Sequence, residues 1–210
     1  MNKLSDLINA LCPKGVPMMR IADVCDRVVS GGTPNASNPD YYGGSIPWLR
    51  TQEVTFSAID STELSITEEG LNNSSAQWIP ANCVIVAMYG ATVGRVGYNT
   101  IPLTTNQACC NLIPGERINY KFLFYVLSNM YERIKGLGKG SQTNINAQIV
   151  KNLRIPVPPL AVQSEIVRIL DELTELTREL EAELTSELAA RKRQYECYRN
   201  ELLTFKEEEE

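Results

Sequence analysis

LAVQSEIVRILDELTELTRELEAELTSELAARKRQYECYRNELLTF, residues 160–205, contains no glycine and no proline. Its apolar residues recur at steps of three and four: Ile166, Ile169, Leu173, Leu176, Leu180, Leu184, Leu188, then Tyr195, Tyr198, Leu202 and Phe205. That spacing predicts one continuous helix with a single apolar stripe. At ~1.5 Å per residue it spans roughly 70 Å, against ~40 Å for a domain of this size. Such a stripe has to be buried against another helix, as in a coiled coil. The extra four-residue step after Leu180 locally relaxes a left-handed supercoil.

Outward from this helix, Ile155-Pro156-Val157-Pro158-Pro159 is extended, because its prolines exclude a helix until Leu160. The boundary divides the chain into a globular domain over 1–159, a partner helix over 160–206 and an acidic tail over 207–210. The globular part has room for a core of its own. The fold class expected is α+β: one globular domain with a twisted mixed sheet and short helices, followed by a long C-terminal coiled-coil helix. Helices are predicted over Met1–Leu11, Met18–Cys25, Thr67–Trp78 (capped at Thr67), Asn119–Ile134 and Ile145–Val150. Strands are predicted over Asp26–Ser30, Ser45–Arg50, Cys83–Tyr89, Arg95–Tyr98 and Cys109–Ile113.

The net charge of −5 conceals a segregation. Residues 160–210 hold 7 Lys+Arg against 14 Asp+Glu. Residues 91–159 carry Arg95, Arg117, Lys121, Arg133, Lys135, Lys139, Lys151 and Arg154 against Glu116 and Glu132. A basic lobe of this kind can attract a polyanion within an acidic chain. The chain has no histidine, and its six cysteines form no C-x-x-C pair. General acid–base catalysis by histidine and a zinc site are therefore not expected; reduced, mostly buried thiols in a cytoplasmic protein are. No apolar run is long enough to span a membrane, and MNKLSDLINALCPKG lacks the continuous apolar segment of a secretory signal.

Neither a phosphate-binding G-x-x-x-x-G-K-[ST] loop nor a dinucleotide G-x-G-x-x-G turn is present. Asn38-Pro39-Asp40-Tyr41 resembles the Asn/Asp-Pro-Pro-Tyr/Phe motif of amino-methyltransferases, but Asp40 replaces the second proline, and the tetrapeptide reads as a turn. Three segments suit DNA. The turn-rich Gly31–Gly44 loop offers Thr33, Ser37 and Tyr42, with close backbone approach for phosphates. Arg50, Thr51 and Gln52 end a strand, and Arg and Gln can bond bidentately to guanine and adenine edges. Arg95, and Lys139, Ser141, Gln142 and Asn144 on the glycine-rich GLGKGSQTN segment, complete the set.

Six blocks then occur in a telling order: SGGTP (30–34), YGGSIPW (42–48), YGATVGRVG (89–97), NQA (106–108), GSQTNI (140–145) and IPVPPLAVQ (155–163). Together they resemble the specificity subunit of type I restriction-modification systems, in a half-length form with one target recognition domain. The closing 189–205 segment resembles the end of that family's central helix. The resemblance implies a subunit without catalysis of its own, which reads one half of a bipartite double-stranded DNA target. It implies docking to methyltransferase (M) and restriction (R) subunits, with S-adenosylmethionine held by the methyltransferase partner and no cofactor in this chain. The family's full-length subunit carries two such domains and two helices. Whether the chain is a natural half-subunit or a truncated one, the resemblance implies that the second half comes from another chain, with a homodimer through the long helix expected. Two other readings compete: a minimal methyltransferase, and a non-catalytic coiled-coil adaptor whose globular domain binds protein.

Overall fold

The computed structural model describes residues 2–138 and 144–205. The chain forms two compact units, Met1–Val167 and Arg168–Glu210. The first is a mixed α+β domain. Its centre is a five-stranded sheet in the order β2-β9-β6-β7-β4: β2 (Cys25–Ser30), β9 (Cys109–Pro114), β6 (Val84–Ala87), β7 (Val96–Asn99) and β4 (Ala58–Ile59). All neighbours are antiparallel except β4 and β7, which are parallel. A smaller mixed sheet places β3 (Tyr42–Leu49) between β5 (Leu64–Ile66) and β8 (Thr104–Thr105). A third pairs β1 (Met18–Arg20) with β10 (Arg154–Pro156).

Strand β6, Val-Ile-Val-Ala, is buried on both faces and reads as an unbroken apolar run for that reason. Its alternate side chains serve two cores. Val84 and Val86 join Leu112, Phe122, Leu123 and Leu127, which brings in α4 (Tyr120–Asn129). Ile85 and Ala87 join Leu49, Val54, Ile59, Ile79 and Leu103.

Several predicted elements differ in detail. Met18–Arg20 is a strand rather than helix, because it pairs in register with Arg154–Pro156 far along the chain; only α2 (Ile21–Val24) is helical there. The helix capped by the Thr67 hydroxyl is α3 (Glu68–Asn72) and stops well before Trp78. Asn73, Ser74 and the backbone of Ala76 form local side-chain bonds that compete with helix continuation. The predicted Asn119–Ile134 helix divides at Met130 into α4 and α5 (Tyr131–Lys135). Asn146 caps α6 (Ala147–Asn152), and α1 (Asn2–Leu11) lies at the N-terminus.

The long helix is α7 (Leu160–Leu203), 44 residues. Its first two turns belong to the first unit, where Val162, Gln163, Glu165 and Val167 are buried. Gln163 is fully buried. Its side-chain oxygen accepts from the Asn119 N–H at 2.8 Å, and its amide donates to the carbonyls of Arg117 and Pro158 at 2.9 and 2.8 Å. Glu165 pairs with Lys3 of α1 at 3.0 Å. From Glu172 to Phe205 every side chain is exposed. Leu173, Leu176, Leu180, Leu184, Leu188, Tyr195, Tyr198 and Leu202 are more than half accessible, whereas Ile166 packs on the domain core and Ile169 is half-buried. Among the described residues no helix is long and apolar enough to cross a membrane.

Candidate nucleic-acid interface

Strand register gathers the candidate segments at one end of the domain. Ser30 pairs with Cys110, Ala87 with Cys109, Val86 with Val96, and Leu49 with Thr105. The chain leaving β2, β3 and β6, and the chain entering β7 and β9, therefore meet at that end. The root of α7, with Gln163 bonded at Asn119, lies at the other end of the same sheet, where Cys25 pairs with Pro114.

The Gly31–Gly44 loop is stapled down. Gly31 and Gly32 are there because of close packing: a Cβ on Gly31 would sit 1.9 Å from the Thr105 carbonyl, and one on Gly32 2.3 Å from the Ala76 nitrogen. The Trp48 indole N–H donates to the Gly32 carbonyl at 2.9 Å, and the Tyr42 hydroxyl donates to the Pro34 carbonyl at 2.7 Å. Tyr42 also stands edge-on to Trp48. Asn38 caps the 39–41 turn by accepting from the Asp40 N–H, so the tetrapeptide that resembles a methyltransferase motif forms a capped turn here. Asn35 accepts likewise from the Ser37 N–H. What remains exposed is a row of small polar groups including Thr33 and Ser37, with Thr33 hydrogen-bonded to the exposed Gln107.

Arg50 sits in a cluster of its own. Its guanidinium bonds Glu63 at 2.6 Å and lies 3.7 Å from Glu53. Glu53 in turn accepts from the Arg50 and Glu63 N–H groups. With its amide oxygen turned toward Arg50, Gln52 accepts from the guanidinium at 3.0–3.2 Å. Arg50 is thus held by two carboxylates and the Gln52 amide, so reading a base requires exchanging those bonds, whereas the Gln52 side chain is itself exposed. Thr51 is half-buried in the 51–53 turn, which packs on the Gly90–Thr92 turn.

Arg95 is half-buried beside that second turn, its backbone bonded to Thr92 and Ala87. Asn144 is half-buried, and the next residue, Ile145, donates its N–H to the Met88 carbonyl, bringing that segment to the same end. Lys139, Ser141 and Gln142 lie outside the described residues. The structure adds two side chains that no sequence signal singled out, Phe56 and Tyr131; with Tyr89 of the YGATVGRVG block and Lys135 of the basic lobe they border these turns.

The seven of the eight cations of residues 91–159 that lie among the described residues do not form one face. Arg95, Arg133 and Lys135 belong to the loop end. Arg117 adjoins the helix root through its carbonyl, Lys121 lies over the Tyr98 ring, and Arg154 donates to the Met18 carbonyl. Burial pushes the Cys25 and Cys110 thiols up to about 12 and Cys83 to about 11, and raises Cys109 further. These side chains are core fillers held protonated. Among the described residues no group of three or more potential ligands is placed to hold a metal ion.

A domain with a loop-bearing end and, at its other end, the root of a long helix whose apolar stripe is uncovered defines an α+β module with an appended partner helix. Residues 13–190 match the family model described as the type I restriction modification DNA specificity domain, and the chain belongs to that family. It is 32% identical over 182 residues to the Escherichia coli type I restriction enzyme EcoR124I/EcoR124II specificity subunit, covering 83% of this chain and 45% of that protein. It is 31% identical over 195 residues to the E. coli EcoprrI specificity subunit, covering 86% of this chain and 48% of that one. A chain solved in work on complex assembly and conformational transition of the type I R-M system superposes with TM-score 0.70 at 21% identity, over 90% of this chain and 47% of that chain. The HsdS subunit from Thermoanaerobacter tengcongensis superposes with TM-score 0.62 at 18% identity, over 86% and 44%. The chain thus spans about half the length of the relatives it matches.

Proposed function

We propose that this chain is the sequence-reading subunit of a type I restriction-modification complex. Its loop end reads one half of a bipartite double-stranded DNA target, and α7 with the Pro156–Gln163 junction docks methyltransferase and restriction subunits in the cytoplasm. The observation that carries this reading is the opposition of the two ends, since polar loops at one and a buried helix root at the other separate recognition from assembly. Thr33, Ser37, Gln52 and Gln107 are exposed and capable of base or phosphate contacts. Tyr42 and Arg50 act first by holding those groups in place. S-adenosylmethionine and methyl transfer belong to the methyltransferase partner.

The exposed stripe of α7 pairs with that of a second copy, and the charge order favours an antiparallel pair. Residues 160–187 hold eight carboxylates and two cations, whereas 188–205 hold four cations and two carboxylates. A parallel pair would stack acidic half on acidic half. An antiparallel pair centred between Thr185 and Ser186 opposes Ile166 to Phe205, Ile169 to Leu202, Leu173 to Tyr198 and Leu176 to Tyr195. It also sets Lys192 against Glu179 and Arg199 against Glu172. Opposed charges of this kind set partner orientation in helical pairs.

Two identical chains about a two-fold axis present the same reading surface twice, so the target is palindromic with unread bases between its halves. Co-expression with the methyltransferase, followed by single-molecule sequencing of modified DNA, tests this. Identical half-sites are expected. Two different half-sites, with this chain as the sole specificity subunit, would refute the symmetric dimer.

A further inference from the structure

We propose that Phe56, propped on Tyr131, is an apolar wedge that contacts base faces at a deformable step of the DNA target. The inference rests on the loop end being the nucleic-acid interface and adds to it a residue that sequence did not mark.

Phe56 has φ of +59°, in the left-handed region. A bulky residue is an outlier there, and glycine or asparagine would relieve the strain. The backbone is held in that state from both sides. The Phe56 N–H donates to the Val96 carbonyl at 2.9 Å, and the Ser57 carbonyl accepts from the Tyr98 N–H at 3.3 Å. The hydroxyls of Thr55 and Ser57 share a 3.0 Å bond, and Val54 is fully buried just before. A strained conformation kept by its surroundings points to a use for the side chain it displays.

That side chain is aimed outward yet buttressed. Phe56 is 39% exposed, and its ring stands edge-on to Tyr131, with centroids 5.1 Å apart and planes at 88°. Tyr131 is set against the β6–β7 turn, where a Cβ on Gly94 would come within 3.4 Å of its ring and 3.3 Å of the Lys135 backbone nitrogen. The Lys135 ammonium lies 5.5 Å from the Tyr131 ring centre. Tyr89, also 39% exposed, starts the neighbouring turn.

The surroundings select the partner. Arg95, Arg133 and Lys135 stand on the elements that hold the wedge, with Glu132 the carboxylate of α5. Exposed aromatics on elements that carry three cations and one carboxylate suit a nucleic acid, whose bases offer flat apolar faces inside a phosphate envelope. Apolar side chains inserted between base steps unstack them, most easily at TA and CA/TG.

The test uses the complex assembled with its methyltransferase and duplexes carrying the motif found modified in cells. 2-Aminopurine replaces single bases at successive steps of a half-site, leaving out the base that the methyltransferase modifies, whose own extrusion gives a separate signal. With the unaltered protein, fluorescence should rise on binding at one step. Phe56→Ala should abolish that rise and weaken binding at least tenfold, while the slope of log K against log salt stays the same. Phe56→Leu should keep part of both effects, and Lys135→Ala should instead flatten the salt slope. Circular dichroism and complex recovery check that the variants fold. Unchanged affinity and fluorescence in Phe56→Ala, with normal binding by the unaltered complex, would overturn the wedge alone. So would loss of methyltransferase binding with the DNA signal intact. Failure of the unaltered complex to bind DNA in a salt-dependent way would overturn the interface reading and the wedge with it.

Discussion

Replacing Gln163 by Met removes one side-chain amide of similar length and shape and should unseat the root of α7. Gln163 has no exposed surface and makes three hydrogen bonds of 2.8–2.9 Å. All three partners are backbone groups: the Asn119 N–H that opens α4, and the carbonyls of Arg117 and Pro158. A buried polar group left unpaired costs about 1–3 kcal/mol. The N–H carries the larger share, because orphaned carbonyls are tolerated better. Offset by about 1 kcal/mol from the added apolar surface, the net loss is about 3 kcal/mol. In a unit of this size it lowers the melting temperature by roughly 6–12 °C. Urea and thermal unfolding followed by the fluorescence of Trp48 and Trp78 reads it directly, since both indoles lie in the domain. A loss below about 1 kcal/mol would refute the reasoning, because it would mean that the three backbone groups find other partners at little cost.

Leu173→Glu with Leu180→Glu should convert the protein to monomers or aggregate in sedimentation velocity; a stable monomer of the unaltered protein would remove the paired helix. Binding to the target should fall steeply with salt. Lys139→Ala should weaken all sequences alike, whereas Gln52→Ala relaxes one base preference by roughly 1–3 kcal/mol in competition assays. Gly31→Ala should destabilise the domain by about 2 kcal/mol or more, since its methyl would overlap the Thr105 carbonyl; an unchanged urea midpoint would contradict that packing. At pH 8 a thiol reagent should titrate Cys197 quickly and all six cysteines only after unfolding. The raised thiols of Cys25, Cys83, Cys109 and Cys110 leave almost no thiolate until the pH approaches 11–12; rapid release of several equivalents would contradict their burial.

The long helix was legible because its evidence is local. Forty-six residues without glycine or proline, preceded by a proline-rich segment, need no tertiary information, and the helix begins at Leu160 as that segment requires. The Thr67 cap was legible for the same reason, but the stop of α3 was not, because it depends on which backbone groups Asn73 and Ser74 capture. The Ser30–Pro34 block was visible as a motif, while its cause is the approach of Thr105 and Ala76, far along the chain. Met18–Arg20 became a strand only through residues 154–156. For Arg50, the i+3 carboxylate Glu53 could be read locally, but Glu63 arrives through the β3–β5 pairing and turns an isolated cation into a held one. Phe56 left no trace in the sequence, because a positive φ at phenylalanine runs against its intrinsic preference and is imposed by the neighbouring strand.

One element spans both ends of the domain. Helix α4 begins at Asn119, whose N–H is held by Gln163 at the root of α7, and leads through Met130 into α5, which packs on the Gly94 turn at the loop end. Its middle, Phe122, Leu123, Phe124 and Leu127, is buried in the main core, so it behaves as a stiff strut rather than a connection free to bend. The exposed groups at its far end, Thr33, Ser37, Gln52 and Gln107, contribute nothing to that core. Substituting them therefore leaves the strut, the helix root and the apolar stripe of α7 in place. Loops carried by a rigid scaffold change their contacts without changing how the scaffold is assembled. Under the proposed function, a new DNA sequence would then be read by altering the loop end alone, while the surfaces proposed to meet partner subunits stay fixed.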